Sequence, residues 1–192
     1  MSKVTAVLIS WKRSQELEAI KKHLGQFDFI DEILVWKNTE ERNIGVYGRY
    51  LMAKQAKNDI IYTQDDDCII GNIQALYANF DGEHLSNGLK SNAMKEYASQ
   101  EGNDPYITLI GWGAFYKKEW INVIDKYLEK YPEDELFYEC ADRIFTYLLK
   151  KRHDTIISRV DDFPSARGEM AMYRRGGYDD RKKIILEKLK TL

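Results

Sequence analysis

The sequence predicts an α/β protein with a mostly parallel central sheet flanked by helices. Three observations carry this: strand-like runs with no polar face, helix-spaced apolar stripes between them, and polar clusters that begin abruptly where the runs end. Val4 to Ile9 is a continuous apolar run broken only by Thr5, as expected of a strand buried on both faces. Ser14 is a candidate cap for a helix to about Leu24, with Leu17, Ile20 and Leu24 as its apolar stripe. Glu32 to Trp36 reads as the second strand, and a helix follows from about Tyr47 to Lys57. Ile60 to Thr63 is the third strand. This strand–helix alternation over the first third of the chain is Rossmann-like, and ligands in such sheets bind at the carboxyl ends of the strands.

The second half is less regular. A short helix is expected around Ile73 to Asn79, within a polar stretch from 71 to 104 that has room for short antiparallel strands. Tyr106 to Ile110 reads as a strand running into Gly111-Trp112-Gly113. Helices are expected from about Lys118 to Tyr131, with Ile121, Ile124 and Leu128 inward, and from about Glu135 to Lys151. The second carries a Leu136, Cys140, Ile144 and Leu148 stripe. A charged tail from Asp161 holds Arg167, Arg174 and Arg175 and ends in an amphipathic helix.

Length and composition describe one ordinary globular domain: 192 residues, 44% hydrophobic and 31% charged. A net charge of -2 gives no general attraction to nucleic acid or anionic membrane. The two cysteines, Cys68 and Cys140, sit in apolar runs and read as core residues rather than a disulfide framework. The N-terminal apolar run is too short for a transmembrane span and lacks a signal-peptide cleavage region, so the expected location is cytoplasmic.

The feature richest in chemistry is Asp65-Asp66-Asp67, directly after the third strand and flanked by Ile60, Ile61, Ile69 and Ile70. Adjacent carboxylates repel, and an ionised one is costly to bury without a partner. A hard divalent cation, Mg²⁺ or Mn²⁺, resolves both problems and brings affinity for substrate phosphates. The spacing excludes an EF-hand; a solvated acidic turn or a purely structural calcium site is the alternative. Ser10, Trp11, Lys12 and Arg13 at the first strand's end, and Asn38 at the second's, converge on the same edge.

With these motifs in order, the chain resembles a glycosyltransferase of the GT-A fold over roughly residues 3 to 150. Asp65-Asp66-Asp67 corresponds to the family's Asp-x-Asp motif. Gly111-Trp112-Gly113-Ala114-Phe115 resembles an acceptor-side segment of exostosin-like and family 2-like members. Glu139-Cys140-Ala141-Asp142 resembles the later acidic motif near the acceptor.

The resemblance implies a single GT-A domain, with a nucleotide-binding half over about 1–70, a small antiparallel acceptor-side half over about 71–160 and a flexible basic tail. It implies Mn²⁺ or Mg²⁺ on Asp65 and Asp67, a UDP- or GDP-sugar donor, and a hydroxyl acceptor, most naturally a glycan. Donor contacts would come from Ser10, Trp11, Lys12, Arg13, Asn38, Arg49, Asp65 and Asp66. Gly111, Trp112 and Gly113 would contact sugar or acceptor, and Asp142 or Glu139 would act as catalytic acid–base. Asp142 would be the base in an inverting reaction and an orienting group in a retaining one.

Bland readings stand beside these: Trp112 as a core residue, Glu139 paired with Arg143, and Trp11-Lys12-Arg13 as a solvated edge. The C-terminal arginines read either as a lid over the diphosphate or as a charged tail. A nucleotidyltransferase is the same-fold competitor, but no glycine-rich loop follows the first strand. A non-catalytic nucleotide-sugar-binding module is the second alternative. A nucleic-acid acceptor is a third, disfavoured by the charge balance.

Overall fold

The computed structural model describes residues 2–87, 109–153, 158–167 and 176–192. Its elements are β1 (Val4–Ser10), α1 (Ser14–Leu24), β2 (Ile30–Lys37), α2 (Gly48–Lys54), β3 (Ile60–Gln64), β4 (Cys68–Ile70), α3 (Ile73–Ala78) and β5 (Leu85–Asn87). There follow β6 (Ala114–Lys117), α4 (Val123–Leu128), α5 (Glu135–Leu149), β7 (Arg152–His153), β8 (Val160–Asp162) and α6 (Tyr178–Leu189).

The main sheet has six strands in the order β2-β1-β3-β6-β5-β7. β1 runs parallel to both β2 and β3, but β6 is antiparallel to β3 and to β5, while β5 and β7 are parallel. The sheet is therefore mixed rather than mostly parallel. Only its first half is built from helix-crossover units. β6 enters beside β3 in the opposite sense, which brings the start of β6 to the same edge as the end of β3. β4 and β8 form a separate antiparallel pair.

Strand alternation sends side chains into two cores. Val4, Ala6 and Leu8 of β1, Tyr62 of β3 and Phe115 of β6 pack with Leu17, Ile20 and Leu24 of α1 and with Ile73 and Leu76 of α3. Val7, Ile61, Ala114 and Tyr116 face the opposite layer, made by α2, α4, α5 and α6. Both faces are covered, which is why β1 shows no polar alternation.

Several local expectations change. Ser14 is the first helical residue and caps nothing; Arg13 holds the N-cap position without a side-chain capping bond. The second helix is split into a 3-10 turn, Gly45–Tyr47, and the short α2. Ile110–Trp112 is a 3-10 turn, and the strand begins after the glycines, at Ala114. Of the strand expected over 106–110, residues 106–108 lie outside the described residues.

Lys118–Asn122 is also a 3-10 turn, and Tyr127 rather than Leu128 completes the buried face of α4. The Asp134 carboxylate caps α5, accepting from the Phe137 N–H at 2.8 Å. Phe137, Ala141, Phe145 and Leu149 are buried beside Cys140 and Ile144, while Leu136 and Leu148 are only partly covered. The apolar stripe of α5 is thus wider than the four residues first singled out. The stretch read as a flexible tail contains β8 and α6, and Ile185 and Leu189 are buried in the same core as α5. Both cysteines are buried, and among the described residues neither forms a disulfide. Among the described residues no helix is long and apolar enough to cross a membrane.

Candidate functional site

The site is built at one edge of the sheet, where β1 and β3 end and β6 begins. At the end of β3 the buried Gln64 amide braces the acidic turn. Its Nε2 donates to the Cys68 carbonyl at 2.7 Å, and its Oε1 accepts from the Tyr62 hydroxyl at 2.9 Å. The three following aspartates then diverge, each with a different role.

Asp66 turns inward and is 5% exposed. Its Oδ2 accepts from the Trp11 N–H at 2.7 Å, and its Oδ1 from Arg13 Nη1 at 2.6 Å. Removal from water pushes its carboxyl above the ordinary range, against the pull of Trp11 and Arg13. Both oxygens are engaged, so Asp66 is an internal brace rather than the donor contact first assigned to it. The left-handed backbone at Lys12 (φ 60°) turns the chain between Trp11 and Arg13, the two residues that clamp Asp66. Such a conformation is costly for a residue with a side chain.

Asp65 pairs with Arg49 through Oδ1. Arg49 is 0% exposed, and its Nε lies 3.6 Å from Asp142 Oδ1. The nucleotide contact expected of Arg49 is therefore not the role its position supports, because its guanidinium lies between two acids, out of solvent reach. Asp142 Oδ1 also accepts from the Tyr50 hydroxyl at 2.8 Å. Removal from water raises the Asp142 carboxyl to about 6; Arg49 and the Tyr50 hydrogen bond oppose the shift, and the Asp65 charge adds to it.

Asp67 is partly exposed, with Arg13 Nη1 3.9 Å from its Oδ2. Removal from water, together with the Asp65, Asp66 and Asp162 charges, pushes it up to about 7 despite Arg13.

The glycine motif has a concrete explanation. A Cβ on Gly111 would stand 2.0 Å from Asp65 Oδ2, and Gly111 accepts the Asp65 N–H at 2.8 Å. Gly113 has φ +90°, with Ile70 and the Tyr62 hydroxyl 3.1 Å from where a Cβ would sit. The glycines admit the aspartate turn itself. Gly111→Ala is expected to displace the Asp65 carboxylate and, if that carboxylate binds a cation, to weaken Mn²⁺ affinity about 10- to 100-fold. Calorimetric titration against wild type checks this, and equal affinities would show that the Asp65 position is irrelevant to the ion.

Trp112 packs partly buried against the α1/α3 core, and its carbonyl accepts from Ser158 Oγ at 2.8 Å. The indole is thus partly a core residue.

The remaining expected residues fare as follows. Ser10 is buried at the strand end, its carbonyl accepting from the Asn38 N–H at 3.0 Å. The Asn38 side chain is committed to its own loop: Oδ1 accepts from Trp36 Nε1 and the Ile44 N–H, both at 3.0 Å, and Nδ2 donates to the Gly45 carbonyl at 3.1 Å. Lys12 pairs with Glu40 on the exposed rim and sits 4.7 Å from the Trp11 ring centre. Exposed pairs of this kind contribute little.

Glu139 does not share the Asp142 environment. It is buried against Arg181 of α6, Oε2 to Nε 2.6 Å, rather than joined to Arg143 in an exposed pair. The Arg167 side chain and residues Arg174 and Arg175 lie outside the described residues. His23 Nε2 lies 3.0 Å from the Ile70 carbonyl and His84 Nδ1 2.8 Å from Asp81.

Sequence reasoning missed Tyr50, Gln64, Arg181 and the strap formed by 158–167. That strap holds the site through the Phe163 N–H to the Asp67 carbonyl at 2.8 Å and Arg13 Nη2 to the Ser165 carbonyl at 3.3 Å. A carboxylate run needs donors, and Tyr50 beside Arg49 was the one legible signal.

Among the described residues no group of three His, Cys, Asp or Glu side chains is arranged to hold a metal ion. A Mg²⁺-like ion asks for less, since one or two carboxylates with waters and substrate phosphates suffice. Asp65 and Asp67 fit that smaller requirement: Arg49 engages one oxygen of Asp65, and the Asp67 charge is left under-compensated.

Fold and site together define an α/β protein with an arginine-bridged carboxylate cluster at the strand ends of a mixed sheet. Neither a scan against protein-family models nor a search of curated protein sequences finds a match to this chain.

Proposed function

We propose that the chain is a metal-dependent glycosyltransferase of the GT-A type, moving a sugar from a nucleoside-diphosphate donor to a hydroxyl acceptor. The observation that carries this reading is Arg49 joining Asp65, in the acidic turn after β3, to Asp142, on α5. Residues far apart in sequence thereby supply a cation-compatible pair and a separate carboxyl with a raised pKa at one sheet edge, where α/β proteins bind ligands. The parallel β2-β1-β3 half and the antiparallel β3-β6-β5 half support the GT-A assignment.

In this reading Asp65 and Asp67 hold Mn²⁺ or Mg²⁺. The ion's chemistry is to neutralise charge developing on the departing diphosphate. Arg13 and Asp66 fix the turn that aims these two acids. Asp142, held by Tyr50 and Arg49, takes the proton from the acceptor hydroxyl in an inverting reaction.

Stability supplies a test independent of activity. Burial and the neighbouring acids push the Asp67 carboxyl up to about 7 in the folded chain, against about 4 when unfolded, so the folded state binds more protons between those values. Its contribution therefore makes stability fall as pH rises through that window, and Asp142 acts in the same direction up to about 6. Without divalent cation, Tm is expected to drop between about pH 5 and about pH 7.5. Saturating Mn²⁺ should restore it at the higher pH and do little at the lower, where protons compete with the ion. Asp67→Asn should abolish the Mn²⁺ effect and the part of the Tm drop above about pH 6, leaving the Asp142 share; an unchanged profile in that variant contradicts the assignment.

The function itself is tested by calorimetric titration of UDP and GDP, each with and without Mn²⁺, on wild type and Asp67→Ala. Manganese-dependent binding of one nucleotide, lost in the variant, is the expected result. No binding of either nucleotide under any condition refutes the reading. Binding without production of free nucleoside diphosphate from any nucleotide sugar would reassign the chain as a binding module.

A further inference from the structure

We infer that Arg49 is a shared counter-ion, a positioning residue that couples cation loading at Asp65 to the placement of Asp142; this inference rests on the transferase reading above. The guanidinium is wholly buried on α2 and reaches two carboxylates whose chain positions are 77 apart (142 − 65). Its attachment to them is unequal. Nη2 donates to Asp65 Oδ1, whereas the 3.6 Å from Nε to Asp142 Oδ1 is an ion-pair distance too long for a hydrogen bond. Among the described residues, buried Nε and Nη1 have no hydrogen-bond acceptor. A buried guanidinium with unused donors is held short of its best arrangement, because each unmet donor carries a desolvation cost. Closing the gap to Asp142 needs a shift of only a few tenths of an ångström.

A divalent ion on Asp65 competes for the carboxylate that Arg49 now holds, and it repels the guanidinium at short range. Asp142 is the other acid that Arg49 already approaches. Loading the donor side therefore draws Arg49 toward Asp142 and fixes that carboxylate, so the acceptor-side acid is aligned once the ion is in place. By linkage the effect is reciprocal: whatever binds Arg49 more firmly to Asp142 must tighten the cation at Asp65. Tyr50 is the adjustable contact, since its hydroxyl occupies the same Asp142 Oδ1 that Arg49 Nε approaches.

The test reads Mn²⁺ affinity by calorimetry at pH 8 on the full chain, first without nucleotide and then with saturating UDP or GDP. Tyr50→Phe removes a hydroxyl and no charge, leaving Asp142 Oδ1 to Arg49. Mn²⁺ is expected to bind about 3- to 10-fold more tightly in this variant. Asp142→Asn gives Arg49 wholly to Asp65 and should weaken Mn²⁺ by a similar factor. In the Asp142→Asn background, Tyr50→Phe should then have no effect, because the hydroxyl acts through Asp142.

An unchanged or weakened affinity in Tyr50→Phe, with wild type binding Mn²⁺ normally, overturns the coupling and leaves the transferase reading intact. The same holds if Tyr50→Phe shifts affinity equally in both backgrounds. Absence of Mn²⁺ binding by wild type both without nucleotide and with UDP or GDP present overturns the transferase reading, and the coupling with it.

Discussion

Arg49→Met is expected to lower stability by about 3–5 kcal/mol, the usual cost of removing one partner from a buried ion pair. The reason is geometric rather than a count of lost bonds. Arg49 is 0% exposed and is the cation shared by Asp65 and Asp142. Without it, two carboxylates that already disfavour each other face an apolar side chain. The nearby Tyr50, Tyr116 and Phe145 rings offer no compensating cation. Urea unfolding followed by circular dichroism measures the loss, with an unchanged m-value indicating that stability alone has moved. The deficit should shrink on acidification toward pH 5, because Asp142 then takes a proton and no longer needs the guanidinium. A loss below about 1 kcal/mol would mean that the pair had been worth no more than a surface salt bridge.

Asp142→Asn is expected to reduce kcat by about 10²- to 10⁴-fold, the range for loss of a positioned acid–base group. At saturating Mn²⁺ it should leave the donor nucleotide bound and the acceptor KM little changed, which marks a group acting on the transition state. In wild type kcat/KM should rise with pH through about 6 and then level, since the carboxyl must be ionised to accept a proton. With Mn²⁺ held saturating at each pH, so that protonation of Asp67 does not limit loading, that acid limb should vanish in the variant.

Glu139→Gln supplies the contrast. Glu139 is buried against Arg181, so its removal should loosen α6 from α5 and lower Tm, with kcat reduced far less. Loss of activity from Glu139→Gln equal to that from Asp142→Asn would reverse this assignment of the two acids.

The sequence was most legible where one element decides its own environment. The runs of β1 and β3 needed no partner information, because strands buried on both faces show no alternating polar face, and their few polar residues, Thr5, Thr63 and Gln64, are themselves buried. The α1 stripe of Leu17, Ile20 and Leu24 is likewise a property of helical periodicity, and all three are buried as expected. The acidic turn was legible as an anomaly, since three adjacent aspartates beside buried isoleucines require compensation from somewhere.

What compensates them was not legible, because it depends on which residues the fold brings together. Asp66 is answered by Arg13 and a backbone N–H from the β1 turn, and Asp65 by an arginine on α2. Glu139 and Asp142 stand three residues apart on α5, yet one pairs with Arg181 and the other with Tyr50 and Arg49. Helical spacing sets their directions but says nothing of what waits there.

The sense of β6 was also a tertiary decision. A strand's composition does not encode whether its neighbour runs parallel or antiparallel, and it is the antiparallel β3–β6 pairing that sets Gly111 against Asp65. The sequence by itself thus determined the layers, the buried faces and an uncompensated cluster of negative charge at a strand end. Tertiary structure decided how that charge is shared, because electrostatic compensation acts through distances of a few ångströms that only the folded chain creates.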